Sequence, residues 1–126
     1  MPETSSVDRT RQLDTVLSSL TSMGGVTAAG VIDNDGFMVH IRRDAEIDTN
    51  ALGAGVHVVF GAATKAALQS DLGTSSLVLV ETQRGLIMLL PLEGDYVLAV
   101  LADQTAMLGA VRFEAKMCVP ELNKLI

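Results

Sequence analysis

Apolar residues along this chain follow two rhythms. Leu13, Val16, Leu17, Leu20 and Met23 recur at helical spacing, with Asp8, Arg11, Gln12 and Ser19 on the other side. That pattern predicts an amphipathic helix over 7–23, closed by Gly24-Gly25. Two strand-like stretches follow, Val26–Ile32 and Phe37–Arg42, joined by Asp33-Asn34-Asp35-Gly36. Residues that tolerate positive φ make this a hairpin turn. Three further runs, Ser76–Glu81, Leu86–Leu92 and Tyr96–Ala102, are apolar with little alternation and separated by short connectors. They predict an antiparallel meander buried on both faces. A last helix is expected from about Thr105 towards Ile126, burying Met107, Leu108, Val111, Cys118 and Leu122, with Pro120 kinking or dividing it.

The middle helix, Thr49–Leu72, carries the most information. Asp48, Thr49 and Asn50 are N-cap candidates, and Gly73 is placed to end it. On a helical wheel, Leu52, Val56, Val59, Phe60, Ala63 and Ala67 form the core stripe. The opposite side should be charged, yet it holds Ala54, His57, Val58, Gly61, Thr64, Lys65 and Leu68. Lys65 is the only formal charge between Asn50 and Ser70. A helix dry on both sides needs a second neighbour, and in so short a chain that neighbour is expected to be another copy.

The order is therefore α-β-β-α-β-β-β-α: an α/β fold with a five-stranded antiparallel sheet between one helix and a pair of terminal helices. Residues 1–6 are read as a loose N-terminus and residues 7–126 as one domain. With 126 residues, one sizeable core is expected. Hydrophobic content of 48% exceeds what a monomer this size easily hides, which agrees with self-association. A net charge of −6 and only 3% aromatics disfavour a grip on nucleic acid or an anionic membrane surface. No basic start with an apolar run marks a signal peptide, and no stretch reaches the roughly 18 uninterrupted apolar residues of a membrane span. The expected location is the cytoplasm, without membrane insertion. The lone Cys118 is expected to be a buried small hydrophobe.

Five stretches carry a family resemblance when taken in order: Gly25–Val39 (GVTAAGVIDNDGFMV), the small-residue helix ending in Asp71–Gly73, Val78–Leu92 (VLVETQRGLIMLLPL), Tyr96–Asp103 (YVLAVLAD) and Met107–Lys116 (MLGAVRFEAK). Over about Leu13–Leu122 the chain resembles the Roadblock/LC7 family. The resemblance implies a profilin-like three-layer α/β/α sandwich and a homodimer built from the central helix and the strand after it. The interface it points to comprises Ala54, His57, Val58, Gly61, Thr64, Lys65, Leu68, Leu77 and Leu79. It further implies a noncatalytic, cytoplasmic signalling adaptor that binds and regulates a Ras-like small GTPase. The short stand-alone form is similar to bacterial members, gliding-motility GTPase regulators with GTPase-activating roles among them. Asn50, Gly53, His57, Thr64 and Asp71 form a stripe on the flank between core and dimer faces, and this is the candidate partner-binding surface.

Other chemistry finds little footing. No phosphate-binding G-x-x-x-x-G-K-[ST] motif is present, and Gly53, Gly55 and Gly61 sit within a helix, where they cannot cradle a nucleotide. His57 and His40 are the only histidines, too few for a metal site without further spaced ligands. Asp33 and Asp35 flank a turn without the twelve-residue calcium-loop pattern, and Asp95 and Asp103 are expected to serve turns or caps. Arg42, Arg43 and Arg84 invite an arginine-finger reading, but solvated strand ends or turns are preferred. No serine lies in a nucleophile-elbow context. No enzyme activity, cofactor or metal is expected. The rival readings are a structural scaffold or signalling adaptor with no GTPase contact, and a small-molecule sensor using a profilin-like pocket.

Overall fold

In the computed structural model, residues 6–44 and 46–126 are described, and of the loose tail expected over residues 1–6 all but Ser6 lies outside them. The elements follow the expected order: α1 (Ser6–Thr21), β1 (Val26–Ile32), β2 (Met38–Arg43), α2 (Thr49–Gln69), β3 (Val78–Glu81), β4 (Gly85–Pro91), β5 (Val97–Asp103) and α3 (Leu108–Asn123). Ser6 thus opens a helix. The strands form one antiparallel sheet in the order β2-β1-β5-β4-β3. β3, β4 and β5 make the expected meander, and β1 closes onto β5 with Val31 opposite Leu98 and Ile32 opposite Val97.

Successive strand residues point to opposite faces, so an apolar run demands cover on both. Met88 and Leu90 of β4 and Leu98 and Val100 of β5 join Leu17 and Leu20 of α1 and Val111 and Leu122 of α3 in the main core. Their neighbours Leu89, Val97 and Ala99 face the other way, where they meet Ile32 and Val56, with Leu52 and Phe60 packed alongside. The molecule is a three-layer sandwich whose two cores are unequal, α1 and α3 covering one face and α2 alone covering the other.

Local chemistry fixes the ends of these elements. Asp33 Oδ1 accepts the backbone N–H groups of Asp35 and Phe37, both at 2.9 Å, which holds the β1–β2 turn as expected. Asp48 caps α2 by accepting the N–H of Ala51 at 3.0 Å. The other end differs from expectation. Helix α2 stops at Gln69, and the left-handed residue is Asp71, at φ 58, ahead of Gly73. The N–H of Leu72 reaches Ala67 O and that of Asp71 reaches Leu68 O, the paired bonds of a Schellman motif.

Helix α3 begins later than expected because Asp103 Oδ1 accepts both the N–H and the hydroxyl of Thr105, holding a turn there. Met107 and Leu108 are consequently exposed, and α3 buries Val111, Ala115, Cys118 and Leu122. Pro120 lies within α3 and does not divide it. It stands on the exposed side, where water can satisfy the carbonyl it leaves unpaired. Cys118 is buried, its Sγ 3.4 Å from Ser19 Oγ, and burial pushes its thiol pKa up.

Candidate protein-docking surface

Helix α2 rests on its sheet by a narrow line of contact. Of its 21 residues only Gly53 and Val56 are fully buried, with Leu52, Phe60, Ala63 and Ala67 half-covered beside them. Gly53 is there because nothing larger fits, since a Cβ at this position would strike the carbonyl oxygen of Gly36. Gly36, at φ +87, brings that carbonyl down onto the helix. This contact sets the height of α2 above the β1–β2 turn. Gly53 therefore packs the interior, and of the expected partner stripe only Asn50, His57 and Asp71 are exposed.

The outward side is as dry as the sequence implies. Val58 is 68% exposed, Leu68 53% and Val59 41%, and Ala54, Gly61 and Lys65 are also open. By length and composition alone α2 could cross a membrane, although its apolar residues do not form one uninterrupted run. Here it lies along a sheet.

The two flanks of α2 differ. On one, Ala51, Gly55 and Val59 border a cavity of about 240 Å³ closed below by Val80, Ile87 and Leu89. This flank looks towards β3, one of the two edge strands of the sheet. Continuing its line at helical spacing brings in Ala62 and Ala66, both exposed. The flank is apolar and uncharged throughout.

On the other flank, His57, Gly61 and Thr64 border a second cavity, of about 270 Å³, whose far wall is formed by Asn34, Pro91, Asp95 and Tyr96. The structure therefore separates residues that the wheel groups together, because His57, Gly61 and Thr64 turn away from the β3 edge. Leu77 is half-buried against the main core on the opposite face of the sheet, and the two-residue alternation puts Leu79 on that face too. Gly55, Val59, Ala62, Ala66, Val78 and Val80 are the residues that share α2's face with the free edge. Their signal in the sequence was the absence of charge at every one of these positions.

The arginines that invited a finger reading lie away from α2. Arg42 Nη1 donates to Asp14 Oδ2 at 2.6 Å, and His40 Nε2 lies 3.0 Å from Asp14 Oδ1, tying β2 to α1. Arg43 Nη1 donates to Ile47 O at 2.8 Å. Arg84 is exposed at the β3–β4 turn. None of the three is presented on α2's outer face. Among the described residues no three of His, Cys, Asp and Glu gather at one point.

Comparison with known proteins agrees with this fold. The family model described as "Roadblock/LC7 domain" matches residues 12–102. Two uncharacterized proteins of Methanocaldococcus jannaschii are each 26% identical over 113 residues, covering 90% of this chain and 98% of theirs. The solved gliding protein MglB from Thermus thermophilus superposes with a TM-score of 0.85 at 18% identity, over 93% of this chain and 90% of that one. A LokiProfilin1 chain, solved in complex with rabbit actin, superposes at 0.61 with 16% identity over 98% of this chain and 100% of that one, which supports the profilin-like description of the fold.

Proposed function

The chain belongs to the Roadblock/LC7 family, and from that premise we propose that it is a noncatalytic homodimeric adaptor that binds and regulates a Ras-like small GTPase. The observation that carries the proposal is α2, whose outer side and β3-facing flank are largely apolar and exposed although its inner side already has a sheet to cover. A monomer would leave this apolar surface in water, whereas a second copy removes it from solvent. Pairing the free edge of β3 with its symmetry mate places the Gly55, Val59, Ala62 and Ala66 flank against the same flank of the partner copy. Small side chains there let the two helix backbones approach closely. The sheet would run on through the twofold axis as one continuous layer.

The GTPase would then dock on what the pair leaves open: the outward side of α2 and the flank with Asn50, His57, Thr64 and Asp71. Regulation would come from remodelling the partner's own switch loops, since Arg42 and Arg43 are committed to contacts within the domain. The test is direct. Sedimentation equilibrium should give twice the mass of the chain, and a Ras-like small GTPase from the same cell should co-purify and change its GTP turnover. A monomer at high concentration overturns the dimer. A dimer that neither binds the GTPase nor alters its turnover leaves a scaffold without GTPase contact.

A further inference from the structure

The second cavity beside α2 has a composition that selects its guest. Phe60 and Tyr96 contribute rings and Pro91 an apolar wall, while Asp95 is the only formally charged residue on the lining. Asp95 is exposed and held at φ 64, in the left-handed region that places it in the β4–β5 turn. It forms no ion pair among the described residues. Thr64 stands on the helix side of the same cavity, and its Oγ1 is buried with no hydrogen-bond partner, the one side-chain atom in that condition among the described residues. A buried hydroxyl left unsatisfied is costly and uncommon in a native fold.

These features exclude most occupants. An anion is repelled by Asp95. A neutral apolar group covers the carboxylate and the hydroxyl without satisfying either. An ammonium ion is drawn to ring faces too, but it is compact and strongly hydrated and has no planar fork to match a carboxylate. A guanidinium group meets all three demands: it is planar and weakly hydrated, it stacks on aromatic rings, and its donor fork matches a carboxylate. We propose that this cavity is an arginine pocket. An arginine side chain presented by the docking protein enters between α2 and the β4–β5 turn. Asp95 accepts its fork, a ring of Phe60 or Tyr96 receives its face, and Thr64 Oγ1 accepts a further N–H. Threonine in a helix has two accessible χ1 positions, so this oxygen can be turned to a guest. The inference rests on the reading that this flank of α2 meets a partner protein.

The probe is N-acetyl-arginine methylamide, titrated into the uniformly 15N-labelled full chain and followed by backbone amide shifts. The control is the citrulline analogue, which keeps the shape and loses the charge. Saturable shifts are expected at Gly61, Thr64 and Tyr96, with affinity for citrulline weaker by about tenfold, the loss of roughly one charge-assisted contact. Asp95→Asn, which tolerates the same backbone conformation, should abolish the preference. Absent shifts, equal binding of citrulline, or a preference that survives Asp95→Asn each overturn the pocket. The partner reading is separated by capture of the GTPase with the same two proteins. If the probe titrates as expected and no GTPase is captured, the pocket stands and the GTPase assignment falls. If the GTPase binds both proteins equally and the probe does not titrate, the pocket falls and the assignment stands.

Discussion

Asp14 shows how one side chain can join two layers of a small domain. Its carboxylate, on α1, receives His40 and Arg42 from the edge strand β2. The hydrogen bond with His40, helped by the Arg42 charge, holds the Asp14 carboxyl below the usual carboxylate range. The folded-state pKa is thus lower than the unfolded one. The stabilisation is complete above the ordinary value of about 3.9 and is lost as pH falls through the folded value. The group is partly exposed, so its contribution is screened and amounts to no more than about 1 kcal/mol. Urea unfolding of Asp14→Asn should show a small loss near neutral pH that shrinks on acidification below about pH 4, where the wild type loses the same contact. A deficit that stays constant across that range would assign Asp14 a different role. Asp71 makes a second case. A β-branched side chain is strongly disfavoured in its left-handed conformation, so Asp71→Val should lower stability by more than about 1 kcal/mol, whereas Asp71→Gly should not lower it. The same urea titration reads both.

At the scale of elements, the dimer proposed above puts the flank of α2 that faces β3 between the two copies. Ala62→Glu puts a carboxylate into that apolar flank and should convert the dimer into a monomer in sedimentation velocity. Leu68→Glu, on the other side of the helix, should leave the dimer intact. If the two variants sediment alike, the assignment of flanks is wrong. The contrast also marks how far the sequence could be read. The strands were legible almost to the residue, because unbroken apolar runs such as LIMLLPL suit only a sheet covered on both sides. The dryness of α2 was equally plain from its single charge, Lys65. Which flank lies beside the free edge was not, because a wheel gives angles about the helix axis and not the direction in which the helix crosses its sheet. Nor does it show that Gly36 lies on Gly53, a contact 17 residues apart in sequence between two residues without side chains. The end of α2 was misplaced for a related reason. Gly73 carries the usual stop signal, but the chain turns two residues earlier, at an aspartate whose short polar side chain tolerates the left-handed region. The Asp95 and Thr64 cavity was invisible as such, since its parts lie in a helix and two turns that only the folded topology brings together.

For the whole molecule, the inequality of the two cores matters most. The layer of α1 and α3 holds most of the buried hydrophobic residues, among them Leu17, Leu20, Leu98 and Leu122, while the α2 layer holds few. In the proposed dimer, folding of the main core and completion of the α2 layer are separate contributions, the second available only on association. Binding that occurs in the folded state alone raises apparent stability by mass action. The melting temperature should accordingly rise with protein concentration over a hundredfold range, and the rise should vanish in Ala62→Glu. A melting temperature independent of concentration in the wild type would show that the α2 layer is complete within one copy.

The sheet has two borders, and they are not alike. Along β2 the side chains of His40, Arg42 and Arg43 are already engaged with Asp14 and Ile47, and two adjacent arginines discourage another strand from settling there. β3 has only four residues, and its single charge is Glu81. If copies join through β3 as proposed, a body with one adhesive rim and one guarded rim can clasp a twin without offering the sheet to a third. Assembly by that route would terminate of itself, and the sheet would not extend into a filament.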